Sequence, residues 1–125
     1  MKVCDKYYDE IFDFEGQWEM PSKCALKTVS YQNQTVVLVT ELYHDNPGTS
    51  VTYAAGSLIK QICKAKNIDP RQLIYIECNP NTNSKLSFYG EEMFRVFFEV
   101  DANGDFINLR YQTLSEDEIK TYFPA

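Results

Sequence analysis

The sequence is short of the residues that most often carry chemistry. It has one histidine, His44, and one tryptophan, Trp18. Its four cysteines, Cys4, Cys24, Cys63 and Cys78, include no CxxC pair, which leaves a poor pattern for a zinc site. Cations are in deficit, with 12 Lys and Arg against 18 Asp and Glu, a net charge of −6. A general binder of nucleic-acid backbones needs a cationic surface, so DNA and RNA are excluded as partners. No apolar run approaches the roughly 20 residues that span a bilayer, and no leader pattern opens the chain. The thiols are therefore expected to be reduced and the protein cytoplasmic, with no membrane association. A GxxxxGK[ST] phosphate loop is also missing.

What remains is a chain of 125 residues, 44% hydrophobic and 14% aromatic. This is enough for one domain, residues 1–125, with a core that needs no staples. Most of the nine Tyr and eight Phe rings are expected inside, because rings bury much area per residue.

The stretch from Thr35 to Cys78 organises the rest. Val36 to Val39 and Leu73 to Ile76 are unbroken apolar runs, the pattern of strands covered on both faces. Between them Val51, Ala54, Ala55, Leu58, Ile59 and Ile62 recur at three and four residues and predict an amphipathic helix. Thr49 or Ser50 is placed to cap its first turn, Lys64 and Lys66 suit the negative end of its dipole, and Asp69-Pro70 stops it. Strand, helix and strand at this spacing predict a crossover between parallel strands. Open α/β sheets bind ligands at the carboxyl ends of such strands. Here that edge carries Glu41, His44, Asp45, Asn46, Gly48, Thr49, Ser50 and Thr52, with Cys78 ending the second strand.

Outside this unit, residues 1–20 hold six acids against two lysines and read as an acidic flap or a docking arm. Within them Tyr7 to Phe12 fits a short helix, and Ile11 to Phe14 fits a strand. Pro21-Ser22 reads as a break. Leu26 to Tyr31 should turn through Gln32-Asn33 into the central strand. Asn79 to Ser84 is a polar loop, and Leu86 to Tyr89 a short strand. Phe94 to Val100 alternates, turns at Asp101–Asp105 and returns through Ile107, Leu109 and Tyr111. Ser115-Glu116-Asp117-Glu118 is a capping box that opens a last helix, docked by Ile119, Tyr122 and Phe123. The expected fold is α+β: a mixed sheet of five or six strands, one principal helix in a β-α-β crossover, a C-terminal β-hairpin and a short C-terminal helix.

Thr40-Glu41-Leu42, Asp45 to Thr52 with Ala54-Ala55, Asp69-Pro70 with Leu73 to Glu77, and Leu114-Ser115 with Glu118 together resemble a family of small uncharacterised bacterial proteins. The resemblance covers about residues 35–123. It implies no activity and assigns no residue a role. Cys78 follows Glu77 where that pattern has a histidine.

Four sites are weighed. The Asp45–Thr52 loop offers backbone approach at Gly48, free N–H groups of a first helical turn and three hydroxyls, which suits a phosphate or carboxylate; a tight turn before a capped helix explains the same residues. His44 with Cys78 is a weak catalytic candidate as a thiol–imidazole pair, with Asp45 or Glu41 to orient the ring; a buried structural cysteine is the plainer reading. Glu41 and Glu77 have the types to share a cation or a proton, although a solvated strand end accounts for them. Asp101, Asn103 and Asp105 start like a calcium loop but lack its closing Glu, and a hairpin turn explains them. No metal and no cofactor is expected.

The sequence favours a small non-enzymatic binding or accessory protein that acts through a protein partner or by self-association. Its contact surfaces would be the Glu41–Thr52 edge and the hairpin Phe94–Tyr111. The alternative is a module for a small anionic ligand, phosphate or nucleotide, at the strand-to-helix loop, with hydrolysis as its enzymatic form. An acidic mimic is a third reading and requires one contiguous acidic face.

Overall fold

A computed structural model describes residues 8–41, 51–52, 54–79 and 92–124. They form one six-stranded sheet in the order β1-β2-β3-β4-β5-β6. The strands are β1 (Glu10–Glu15), β2 (Pro21–Tyr31), β3 (Gln34–Glu41), β4 (Leu73–Asn79), β5 (Glu92–Val100) and β6 (Phe106–Thr113). Helix α1 (Ala55–Lys66) lies between β3 and β4, and helix α2 (Glu116–Tyr122) closes the chain. This is the expected α+β fold. Among the described residues no helix is long and apolar enough to cross a membrane.

The β3–β4 pair is parallel, from Thr35 opposite Leu73 to Thr40 opposite Cys78. The unbroken apolar runs have the expected consequence. Val37, Val39, Leu73 and Tyr75 face α1, where they meet Leu58, Ile59 and Ile62. Val36, Leu38, Ile74 and Ile76 face the other way and meet Leu114, Ile119 and Phe123 around α2. All these side chains are buried, and each large one contributes about 1.5–3 kcal/mol. Two layers of helix over one sheet therefore leave the central strands dry on both faces.

The sheet curls about α1, and the helix touches both edge strands. Gln61 meets β1 as a neighbouring strand would. Its Oε1 accepts from the Glu15 N–H and its Nε2 donates to the Glu15 carbonyl, both at 2.9 Å. Lys66 pairs with Glu10 at the other end of β1. Toward β6, Lys60 donates to Asp105 at 2.8 Å, and Gly56 lies so close to the Phe106 carbonyl that a Cβ would stand 2.7 Å from that oxygen.

The structure corrects several boundaries. β1 is a strand, so the open choice between helix and strand over the N-terminal aromatics resolves to an edge strand. Residues 10–15 of the expected acidic flap belong to the sheet itself. Pro21 begins β2 rather than breaking it; the first position of a strand tolerates the missing N–H. α1 starts at Ala55, later than the apolar spacing implied. Its N-cap is Ala54, which makes no side-chain cap bond; Thr49 and Ser50, the expected caps, lie outside the described residues. The helix stops before Asp69-Pro70, because Asn67 takes the left-handed C-cap conformation at φ 56°. Asp69 instead caps the short 3-10 turn Pro70–Gln72.

The β2–β3 turn at Gln32 and Asn33 is left-handed at both residues, φ 47° and 65°, as a two-residue hairpin requires. In β6 the simple alternation fails. Phe97 opposes Arg110 but Glu99 opposes Ile107, so Asn108 and Leu109 face a single β5 residue. Asn108 sits at φ 55° in a β-bulge. Ile107 is left exposed while Leu109 packs on the core. The capping box forms as expected: Glu118 N–H donates to Ser115 Oγ, and Ser115 N–H to the Glu118 carboxylate. The expected strand at Leu86–Tyr89 lies outside the described residues.

Candidate functional site

The expected edge exists: β3 and β4 end side by side, with Glu41 and Asn79 as their last residues. His44, Asp45, Asn46, Gly48, Thr49 and Ser50 lie outside the described residues, as does the Glu41 side chain. Thr52, Glu77 and Cys78 are described, and they alter the reading of this edge.

Glu77 follows Leu73 and Tyr75 at alternate positions, so β4 places it on the α1 face. It is 2% exposed. A solvated strand end is thus the wrong description of this carboxylate. Burying one costs several kcal/mol unless hydrogen bonds compensate. Thr52 supplies one from the turn before α1, its hydroxyl donating to Glu77 Oε1 at 2.5 Å. Tyr111 supplies another from β6, its phenol donating to Oε2 at 3.3 Å. The carboxylate therefore ties together β4, the entrance of α1 and β6. Tyr75, on the same face of β4, is fully buried, and its hydroxyl has no hydrogen-bond partner among the described residues. Burial first, then the Glu77 charge, pushes both the Tyr75 and Tyr111 phenols up, Tyr75 well above the ordinary tyrosine value. Both phenols are neutral at any physiological pH, and Tyr111 is the one that donates to Glu77. A carboxyl group buried here and held by hydroxyls ties the strand end to the entrance of α1 and to β6, and the Thr52 hydroxyl that the anion reading assigned to a ligand donates to it.

Cys78 is fully buried on the opposite face and is disulfide-bonded. The weak nucleophile candidate thus has no thiol at its position, and the expectation of reduced thiols fails there. Cys24 and Cys63 are free. Burial, then Glu10 and Asp13, pushes the Cys24 thiol up to about 12. Burial, then Asp69, pushes Cys63 up to about 11. Neither forms a thiolate near neutrality.

Three of the N-terminal acids are paired with lysines: Asp13 with Lys23 at 3.1 Å, Asp9 with Lys27 at 3.5 Å and Glu10 with Lys66. These pairs interrupt the acidic run that an acidic mimic would use. The Asp101–Asp105 turn is a hairpin connection, as expected. Asp101 Oδ1 accepts from the N–H groups of Asn103 and Asp105, both at 2.9 Å, and Gly104 takes φ 81°. Among the described residues no three His, Cys, Asp or Glu side chains gather as a metal site. At the far end of the sheet, a polar cleft of about 550 Å³ lies against the end of α1, with Thr28, Ser30, Thr35 and Asn67 in its wall.

Sequence reasoning missed the most exposed large side chain at the candidate edge. Trp18 lies in the β1–β2 connection, which returns to the same end of the sheet because Cys24 pairs with Glu41. It is 77% exposed, and neighbouring Met20 is 36% exposed. The backbone is left-handed at Trp18 and Glu19, φ 57° and 58°, an outlier for a bulky residue. The loop is closed by Gly16 N–H to Met20 O at 2.8 Å and Glu19 N–H to Gly16 O at 3.1 Å. The expectation that rings belong to the core hid it; the signal available was Gly16 so close to Pro21, too short a span to tuck an indole inside.

Comparison with protein-family models, curated proteins and solved structures found no match.

Proposed function

We propose that the chain is a small accessory protein that acts by binding a protein partner, and that Trp18 anchors the contact. The observation that carries this reading is the conformation and exposure of Trp18. A left-handed turn at a bulky residue costs on the order of 1–2 kcal/mol, and here it displays the sole tryptophan to solvent. Tryptophan is the residue type most enriched among binding hot spots. The rest of the edge supports binding over catalysis: Glu77 is sealed and hydrogen-bonded, and Cys78 has no thiol to give. The anionic-ligand alternative draws no support from Thr52.

Because Trp18 is the only tryptophan, its fluorescence reports on this surface directly. The test is native mass spectrometry of tagged protein isolated gently from its own cells, alongside the Trp18→Ala variant. A protein of fixed stoichiometry, retained by the wild type and lost by the variant, is expected. Adding that protein back should shift the tryptophan emission to the blue. A wild-type chain that arrives bare, or a partner retained equally by the variant, would overturn the proposal.

A further inference from the structure

The β5–β6 hairpin carries information on the partner's chemistry. Arg95, Phe97 and Arg110 lie on the α2 side of the sheet, in phase with the buried Met93. Arg95 and Phe97 are alternate residues of β5, and Arg110 is directly opposite Phe97. Each guanidinium lies over the same ring, with its Cζ 4.6 Å from the Phe97 centroid. Neither belongs to an ion pair among the described residues, whereas Lys23, Lys27, Lys60, Lys66 and Arg71 all do. In a chain of net charge −6, two unpaired arginines side by side are a local inversion of sign. Stacking on Phe97 restrains both side chains before any ligand arrives, which lowers the entropy cost of engaging them. Their planar forks match carboxylates.

The backbone beside them is open. Leu114 N–H donates to Met93 O at 2.9 Å, which sets the alternation of the antiparallel ladder. Arg110 and Gln112 turn their N–H and C=O groups toward β5, while Tyr111 and Thr113 turn theirs outward. β6 is the last strand of the sheet. The contacts of α1 with this end of the hairpin run from Asp105 to Leu109, and Arg110–Thr113 has no strand on its outer edge among the described residues.

We infer that Arg110–Thr113 accepts an extended acidic segment of the partner as an added strand. Carboxylates at alternate positions of that segment meet Arg110 directly and, over Gln112, its β5 partner Arg95. Main-chain bonds to Tyr111 and Thr113 supply the docking, and the arginines select the sign of charge. This rests on the partner reading above and assigns the partner its chemistry.

The test is fluorescence anisotropy with a labelled octapeptide of alternating Glu and Thr, against an alternating Lys and Thr control and a backbone N-methylated Glu–Thr peptide. The full chain should bind the Glu–Thr peptide, more weakly as salt rises, and the Lys–Thr peptide should not compete. Arg95→Ala with Arg110→Ala should weaken binding by about tenfold or more, with Arg→Lys at both positions between the two. N-methylation should weaken it comparably, because it removes the donors of the added strand. Circular dichroism melts check that each variant is folded. Equal binding of the Lys–Thr peptide, indifference to the double substitution, or no binding at roughly millimolar peptide would overturn the inference. If the peptide fails while a stoichiometric partner still co-purifies through Trp18, the edge assignment falls and the partner reading stands. If the peptide binds with the expected selectivity while no partner is retained, the edge assignment stands and the Trp18 reading falls.

Discussion

Gly56→Ala should destabilise this protein, although alanine is the better helix former. A Cβ at position 56 would lie 2.7 Å from the Phe106 carbonyl oxygen and 3.7 Å from Leu109 Cδ1. A carbon and a carbonyl oxygen rest at about 3.3–3.6 Å, so more than half an ångström of overlap must be relieved. The obstructing atom is backbone in a hydrogen-bonded strand and cannot rotate aside as a side chain can. Either the start of α1 lifts from β6 or the end of the hairpin moves. Overpacking of this kind costs about 1–3 kcal/mol. The propensity gain is at most about 1 kcal/mol, and less at the second residue of a helix. The net expectation is a loss of about 1–2 kcal/mol, from a total that for a domain of this size is roughly 5–15 kcal/mol. The variant should fold and melt about 4–8 °C lower. Urea titration followed by circular dichroism gives the cleanest reading, a lower midpoint at unchanged slope. A midpoint that rises would refute the reasoning, because it would mean that propensity acts alone and that α1 does not press on β6.

Tyr111→Phe removes a hydroxyl donor to the buried Glu77 carboxylate and should cost about 1–3 kcal/mol; in a double-mutant cycle with Thr52→Val, urea midpoints should be non-additive, and strict additivity would dissolve the cluster as a unit. Stability should fall on the alkaline side. The Cys24 thiol is held near 12 in the fold against an ordinary value of 9.0, so between those values the unfolded chain sheds a proton that the folded chain keeps; denaturation midpoints should drop as pH rises through that window, and Cys24→Ala should flatten the slope. Alkylation followed by peptide mapping should label Cys24 and Cys63 only after denaturation, and Cys78 only after reduction as well; a Cys78 labelled without reductant would restore the free-thiol reading.

How much of this was written in the order of residues depends on the range of the forces involved. Val36–Val39 and Leu73–Ile76 announced two-sided burial because the pattern is local and the consequence follows from solvent alone. Ser115 with Glu118 announced a helix start for the same reason, since donors and acceptors three residues apart satisfy each other. The start of α1 was not legible. Val51 carries the helical spacing yet precedes the helix, and its burial comes from tertiary packing. The fate of Glu77 was half legible: its phase with Leu73 and Tyr75 put it on the α1 face, but Tyr111, 34 residues away, makes that position tolerable. The Asn108 bulge shifted Ile107 out of the expected apolar face, and no periodicity argument foresees an extra residue in one strand. The Arg95–Phe97–Arg110 stack depends on strand register, which sequence spacing alone does not set.

Gln61 has a consequence for stoichiometry. By giving one amide to both the N–H and the carbonyl of Glu15, α1 occupies the place beside β1 where another strand would sit, and Lys66 holds the far end of the same strand. At the opposite edge, Arg110–Thr113 has no strand beside it among the described residues. The two edges are thus unequal: a strand added beyond β6 meets free main-chain groups, while one added at the end of β1 must displace the Gln61 amide. If the proposed guest strand docks at β6, growth from the other edge is opposed, and Gln61→Ala should ease it.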